Sequence, residues 1–339
     1  MKRKTSAYAQ AGVDIGLGNA LKDRLPALVR STHGPMVLGG IGAFGGLFRA
    51  SFAGMKDPVL VASMDGVGTK LNIAMLAGRH DTVGEDLVNH CVNDIAVMGA
   101  RPLFFLDYLG AGKLDPHVFT SVVGGLARGC RRAGCALLGG ETAQMPGLYR
   151  GKDYDLVGCI VGVVDRARIL DGSRVRPGDA LVALPSNGLH TNGYTLARKV
   201  LLGKIKLRVT DRLPGSRRSV GGELLRVHRN YEPALRSLSP RSLHAAAHIT
   251  GGGLPDNLPR ALPPGCRAVI ERSALRIPHV FRLIAEKGPV SAEEMFRVFN
   301  MGVGMVLVVA PGQAAAIAKK LGGRIIGEVA KGLRGVQFV

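Results

Sequence analysis

Five short segments hold residues whose types and spacing suit phosphate and metal chemistry. Asp65-Gly66-Val67-Gly68-Thr69-Lys70 follows an apolar run from Val59 to Met64. Its glycines permit tight turning and close backbone approach. The Asp65 carboxylate suits a hard cation that takes oxygen ligands, while Thr69 and Lys70 offer a phosphate a donor and a counter-charge. Residues 84–99 read as a helix with two stripes at spacings of three and four. Leu87, Cys91, Ile95 and Met98 form the apolar one; Asp86, His90, Asn93 and Asp94 form the polar one. The polar stripe carries no Lys or Arg in a chain with 45 of those against 25 acids, which favours a metal-holding face over a solvated one.

The third segment is Gly139-Gly140-Glu141, at the end of another apolar run. An acid there sits where ligands bind in open sheets, although a Glu that caps a helix is an alternative. The fourth, His190-Thr191-Asn192-Gly193, opens a helical pattern, and helix starts receive anions. His190 has the chemistry to donate to a transferring phosphoryl group or to carry a proton. The fifth, Thr250-Gly251-Gly252-Gly253, reads as a backbone nest for phosphate. A further glycine-rich stretch, Gly39 to Gly46, reads as a flap over a nucleotide. No G-x-x-x-x-G-K-[ST] segment occurs, so this is not P-loop chemistry.

The elements that must position these groups are mixed. Apolar runs of strand length are predicted at 59–64, 103–106, 136–138, 156–164, 180–184, 267–270, 303–309 and 324–329. Helical patterns fall at 84–99, 117–133, 193–203, 221–238, 278–287, 292–299 and 312–321. Mixed strands and helices imply α/β or α+β layers. A length of 339 residues implies two domains of roughly 150 residues. The turn-rich, charged stretch from Asp165 to Pro177 divides them, giving expected domains of 1–168 and 169–339.

Composition narrows the class. No apolar stretch approaches the ~20 residues of a membrane helix, and no signal core follows the basic N-terminus. Five scattered cysteines without a CxxC pair imply reduced thiols and a cytoplasmic protein. The formal charge is +20, and ten Lys/Arg against two acids lie between Arg198 and Arg229. With no RNP motif, zinc-ligand spacing or aromatic run, this basic excess reads as a solvated surface rather than a nucleic-acid interface.

Taken together, the motifs resemble the phosphoribosylformylglycinamidine cyclo-ligase family, also called aminoimidazole ribonucleotide synthetases. The resemblance runs from Ala11-Gly12-Val13-Asp14-Ile15 through DGVGTK at 65–70, CVND at 91–94, PLFFLDY at 102–108, GGETAQMPG at 139–147, HTNGY at 190–194, HITGGG at 248–253 and FNMGVGM at 299–305. Thr191 stands where that family often has Ser, which keeps the hydroxyl. The sister selenophosphate synthetases carry a Cys or selenocysteine beside a Lys in the glycine-rich N-terminal segment, and 34–48 has neither.

The resemblance implies an α/β fold with mixed sheets: an N-terminal ATP-binding domain that dimerises through its strands, and a C-terminal α/β domain. It implies a homodimeric ligase of purine biosynthesis that closes the ring of formylglycinamidine ribonucleotide with ATP and Mg²⁺. Carried onto this chain, it implies Asp65, Asp94 and Glu141 as metal ligands and His190, Lys70 and Asp94 as catalytic groups. Gly66, Gly68, Thr69, Lys70, Asn93, Glu141, Asn192, Gly251 and Gly252 become the nucleotide contacts.

Overall fold

The structure is a computed structural model, and it describes residues 11–13, 15–22, 25–40 and 44–339. The middle of the glycine-rich flap, 41–43, and Asp14 lie outside the described residues. Two short helices, α1 (Ile15–Lys22) and α2 (Leu25–Arg30), precede a small hairpin of β1 (Val37–Leu38) and β2 (Leu47–Phe48). Then come β3 (Pro58–Gly66), α3 (Lys70–Ala77), α4 (Val83–Ala96), β4 (Arg101–Ala111), α5 (Pro116–Ala133), β5 (Ala136–Gln144) and β6 (Tyr154–Asp165). Four of these strands make a sheet in the order β3-β6-β4-β5, antiparallel except for the β4–β5 pair.

The pleat sends alternate side chains to opposite faces. On the inner face, α4 and α5 cover Phe105, Leu109, Leu156 and Ile160. The outer face is apolar and open. Leu60 and Met64 are 63% and 71% exposed there, and Cys159 and Leu106 lie in register with Met64.

Helix α5 is fixed at both ends. Asp115 accepts the His117 and Val118 N–H groups, Pro116 supplies a preset first turn, and Gly134 closes the helix at φ 69°. Glycines on both helices let α4 and α5 approach closely. A Cβ on Gly84 would land 2.5 Å from Leu126 N and against Val122 O, and one on Gly125 would land 2.7 Å from Asp81 O. Nearly all of α4 is therefore buried, including Glu85, Asp86, Asn89, His90 and Asn93.

The rest of the chain forms β7 (Ala180–Pro185), α6 (Tyr194–Arg198), α7 (Val220–Leu224), α8 (Glu232–Arg236), β8 (Leu243–His248), α9 (Gly253–Asn257), β9 (Cys266–Ile270), α10 (His279–Lys287), α11 (Ala292–Val298), β10 (Val303–Val309), α12 (Pro311–Leu321), β11 (Arg324–Lys331) and β12 (Val336–Phe338). Its six strands run β12-β9-β11-β7-β10-β8. Every residue of β10 is buried, as its unbroken apolar run requires of a strand covered on both faces.

The helix expected over 221–238 is instead two short helices with an irregular segment between them. Side chains of α4 and Lys70 take that segment's backbone groups, as the next subsection details, and so deprive a continuous helix of its own hydrogen bonds. Strand β8 escaped the sequence reading because Leu-His-Ala-Ala-Ala-His has neither alternation nor β-branched residues. Among the described residues no helix is long and apolar enough to cross a membrane.

The α4–α5 seam yields a paired prediction. Gly84→Ala should lower the unfolding free energy by about 2–3 kcal/mol through overpacking against backbone. Gly124→Ala, on the other helix of the seam and with nothing within 4 Å, should raise it by about 0.5–1 kcal/mol through helix propensity. Urea midpoints of the two variants check this; equal shifts would contradict the described packing.

Candidate active site

The site is built on α4, whose polar stripe faces the C-terminal half of the chain. Asp86 is fully buried and forms an ion pair with Lys70 at 2.8 Å. Lys70 also donates to the carbonyls of His190 at 3.0 Å and Arg226 at 2.7 Å, so its three hydrogens are spent. Burial lowers the Lys70 ammonium and raises the Asp86 carboxyl, and their mutual attraction works against both effects. Asp86 Oδ1 accepts the His228 N–H at 2.6 Å. Asn89 donates to His228 O at 2.7 Å and Asn93 to Arg229 O at 2.8 Å, while Asn93 Oδ1 accepts the Tyr231 N–H at 2.7 Å. Five side-chain contacts thus clamp 226–231 in an extended path across α4.

This clamp brings histidines from three elements beside two carboxylates. His90 of α4 contacts Asp65 Oδ2 through Nε2 at 2.8 Å and Thr191 Oγ1 through Nδ1 at 2.7 Å. His248, the last residue of β8, contacts Asp94 Oδ1 through Nδ1 at 2.8 Å. Ser63 donates to Asp94 Oδ2 at 3.0 Å, and Asp65 Oδ1 accepts the Gly66 N–H at 2.6 Å. Burial alone would raise both carboxyls, but His90 outweighs it at Asp65. His248, His90 and Ser63 outweigh it at Asp94, so both sit below the ordinary range. Burial would lower His90, yet Asp65, Asp94 and Asp86 raise it. His190 and His228 are pushed well down, chiefly by burial and then by neighbouring cationic groups.

Beside this cluster lies a groove of about 530 Å³, lined by Gly68, Thr69, Thr191, Asn192, Thr195 and Lys199 among others. Thr69 and Thr195 meet at 3.0 Å across it. Gly193 opens α6 at φ 78°, and a Cβ there would strike the Phe299 ring. Gly251 approaches Asn192, since a Cβ on it would lie 3.1 Å from Asn192 Oδ1. Asp65 and Asp94 keep side-chain exposures of 43% and 26% beside His90 at 4%. This partly open pair of ionised carboxylates is a hard oxygen donor set, which fits Mg²⁺. Two groups place their ligand atoms within 4.8 Å, His190-His228-His248 and His90-Asp94-His248. Hydrogen bonds already engage these imidazole nitrogens except His190 Nδ1, which is buried without a partner.

The structure brings Asp65 and Asp94 together around His90, and it lines the groove with Gly68, Thr69 and Asn192. Gly66 anchors Asp65 through its N–H, and Gly251 and Gly252 stand behind Asn192 ahead of α9. Four of the expected residues are placed apart from the groove. Lys70 is fully buried with its three donors on Asp86, His190 O and Arg226 O. Asn93 likewise spends both ends of its carboxamide on 229–231. His190 is 1% exposed, accepts the Asn187 N–H through Nε2 at 2.9 Å and lies stacked on His228 at 4.0 Å, away from the groove.

Glu141 is not beside Asp65 and Asp94 within one chain. It pairs with Tyr108, which pairs with Val157, which pairs with Gly66. That row occupies the outer sheet face, whereas Asp65, one residue earlier on β3, points inward to His90. Sequence reasoning missed the roles of His228, His248, Ser63 and Thr191. His228 sat inside a predicted helix and His248 before a glycine run, and no spacing linked either to α4.

Comparison with known proteins places this geometry in a lineage. The model of the AIR synthase related protein N-terminal domain matches residues 50–164, and that of its C-terminal domain matches 176–338. A phosphoribosylformylglycinamidine cyclo-ligase of Geotalea daltonii is 50% identical, covering 100% of this chain and 99% of its own. One of Geobacillus kaustophilus is also 50% identical, covering 98% and 97%. Among solved structures, a thiamine-monophosphate kinase from Stenotrophomonas maltophilia superposes with a TM-score of 0.67 at 21% identity, over 94% of this chain and 95% of that one. The hydrogenase maturation protein HypE in complex with ATP gives 0.65 at 17%, over 93% and 90%. These two share the fold.

The commitment of Lys70 to the interior predicts a stability phenotype. Lys70→Met leaves the Asp86 charge buried without its partner and should cost about 3–5 kcal/mol of folding free energy. Denaturant unfolding checks this. An unchanged midpoint with a selective loss of nucleotide affinity would return Lys70 to the phosphate site.

Proposed function

The chain belongs to the AIR synthase related family, and we infer from that membership the activity its full-length relatives carry. It is a ligase that closes the imidazole ring of formylglycinamidine ribonucleotide, using ATP and releasing ADP and phosphate, in purine biosynthesis. The observation that carries this reading is the end-to-end match at 50% identity to relatives named for that reaction. ATP and Mg²⁺ serve it.

The chemistry fits the site. An amide oxygen is a poor leaving group. Transfer of the γ-phosphoryl group to it releases ADP and turns the oxygen into a good one. Attack by the neighbouring nitrogen of the same molecule then closes the five-membered ring, expels phosphate and sheds a proton. The first step needs charge neutralisation and positioning more than covalent help, and the second gains from proximity. Mg²⁺, when bound, neutralises phosphate charge. We assign Asp65 and Asp94 to hold it and Thr69, Asn192, Gly66, Gly68, Gly251 and Gly252 to line the phosphate path. Lys70, Asn93 and His190 hold the frame beneath. The proposed domains, 1–168 and 169–339, meet at this groove.

We further propose a cytoplasmic homodimer built on the outer face of the four-stranded sheet. Leu60, Met64 and Leu106 leave an apolar patch there that a second copy would cover. Glu141 stands on the same face, so its contact with nucleotide is assigned across the interface, to the partner's site. The unpaired thiols of all five cysteines agree with a reducing compartment.

Purified protein with formylglycinamidine ribonucleotide and Mg-ATP should release aminoimidazole ribonucleotide and ADP in equal amounts. Turnover only with another phosphate acceptor would overturn the assignment. Asp94→Asn and Glu141→Gln should each lower kcat by about a hundredfold or more. Mixed through a refolding step, the two inactive variants should regain about a quarter of wild-type activity, since half of the dimers then own one intact site. No recovery on mixing would return Glu141 to its own chain or to no role.

A further inference from the structure

We infer that His228 is a positioning residue for the nucleotide site, linking Asp65 to Asp94 through one continuous hydrogen-bonded circuit. This inference rests on the assignment of those two carboxylates to the metal. The circuit runs from Asp65 Oδ2 to His90 Nε2 at 2.8 Å and from His90 Nδ1 to Thr191 Oγ1 at 2.7 Å. It continues from Thr191 Oγ1 to His228 Nδ1 at 3.3 Å, from His228 Nε2 to His248 Nε2 at 3.0 Å, and from His248 Nδ1 to Asp94 Oδ1 at 2.8 Å.

Counting hydrogens shows why the middle residue matters. Both ends are carboxylates, which accept, so His90 Nε2 and His248 Nδ1 each carry a hydrogen. Between them lie three bonds, and each needs one hydrogen. If His90 holds both of its hydrogens, it donates to Thr191, Thr191 donates to His228 Nδ1, and His228 Nε2 donates to His248. If His248 holds both instead, every one of those three bonds reverses. Each arrangement satisfies all five bonds with one imidazole doubly protonated. Asn93 Nδ2, 3.3 Å from His228 Nε2, favours the second arrangement, while the acids around His90 favour the first.

His228 makes one bond through each ring nitrogen in either arrangement, and it completes the hydrogen-bonded path between two halves whose other approach is His90 Nε2 to Asp94 Oδ2 at 3.8 Å. Its place is set independently of its ring. The N–H is held by Asp86 and the carbonyl by Asn89, and the ring stacks on His190 at 4.0 Å and 19°. Removing the ring nitrogens strands His248 Nε2 in a buried site and leaves the Thr191 hydroxyl with His90 as its one ring partner, and unmet buried polar groups are costly. The two carboxylates then lose the common support that fixes their separation.

Two variants and one spectroscopic signature test this. His228→Phe keeps the ring stack and volume but offers no donor or acceptor; His228→Gln offers one of each. In ligand-free wild-type protein labelled with ¹⁵N-histidine, His90 Nε2–H and His248 Nδ1–H should appear as low-field, slowly exchanging protons. Both should be lost in His228→Phe and retained in His228→Gln. In the cyclisation assay His228→Phe should lose roughly tenfold in kcat, need more Mg²⁺ for half-maximal rate and keep its KM for ATP within about twofold, with Gln restoring most of the loss. Slow protons that survive in His228→Phe, or their absence from the wild type, would overturn the circuit even if the substrate assignment failed. A folded His228→Phe with wild-type kcat and Mg²⁺ dependence would overturn the positioning role. Should His228→Phe not fold, the wild-type signature and His228→Gln still decide.

Discussion

A polar helix face is buried between two halves of this protein, and its side-chain polar atoms, Asn89 Oδ1 apart, have partners. That face of α4 carries Asp86, Asn89, His90 and Asn93, each at most 5% exposed. An unpaired group there would cost more than most single packing contacts contribute. The structure meets the demand by laying 226–231 across the helix and by driving the Lys70 ammonium into the same interface. Segment, lysine and helix therefore each supply partners that the others need. The halves are held in register by hydrogen bonds of defined direction rather than by apolar contact alone.

The site inherits its order from that arrangement. His228 sits where its backbone is clamped, which places its ring between Thr191 and His248 and on top of His190. The histidines in turn hold Asp65 and Asp94 ionised at the edge of the groove. A hard divalent ion needs charged oxygens that are pre-aimed and partly open, and the pair meets that need without a lysine in the groove wall. The same sheet that turns Asp65 inward turns Glu141 outward, because neighbouring rows of a pleated sheet face opposite ways. A single chain thus keeps Glu141 apart from Asp65 and Asp94, on the face that the proposed second copy would cover.

The family and the mixed-sheet fold were legible in the sequence, because glycine turns and acidic residues keep their order and spacing along the chain. The buried run at 303–309 and the amphipathic pattern at 117–133 emerged as strand and helix with nearly the expected limits. The helix expected at 221–238 failed for a tertiary reason: its backbone partners lie on α4, over a hundred residues away, and no local pattern records them. Nor does any local pattern record the partners of Lys70 and Asn93. Both are buried, with their polar atoms bonded to backbone of the 190–231 region and, for Lys70, to Asp86. Glu141 stands in a suitable turn, yet which sheet face it occupies depends on strand register, which its own segment does not encode. His228 and His248 were invisible because a histidine network is defined by approach in space, not by spacing.

The most direct measurement is a crystal structure with Mg²⁺ and a non-hydrolysable ATP analogue. The account predicts a cation bound by Asp65 and Asp94 at the groove, phosphates along Gly68, Thr69 and Asn192, Lys70 still paired with Asp86, and Glu141 reaching the nucleotide from the second copy. A nucleotide seated elsewhere, or one drawing Lys70 out of the interior to its phosphates, would contradict it.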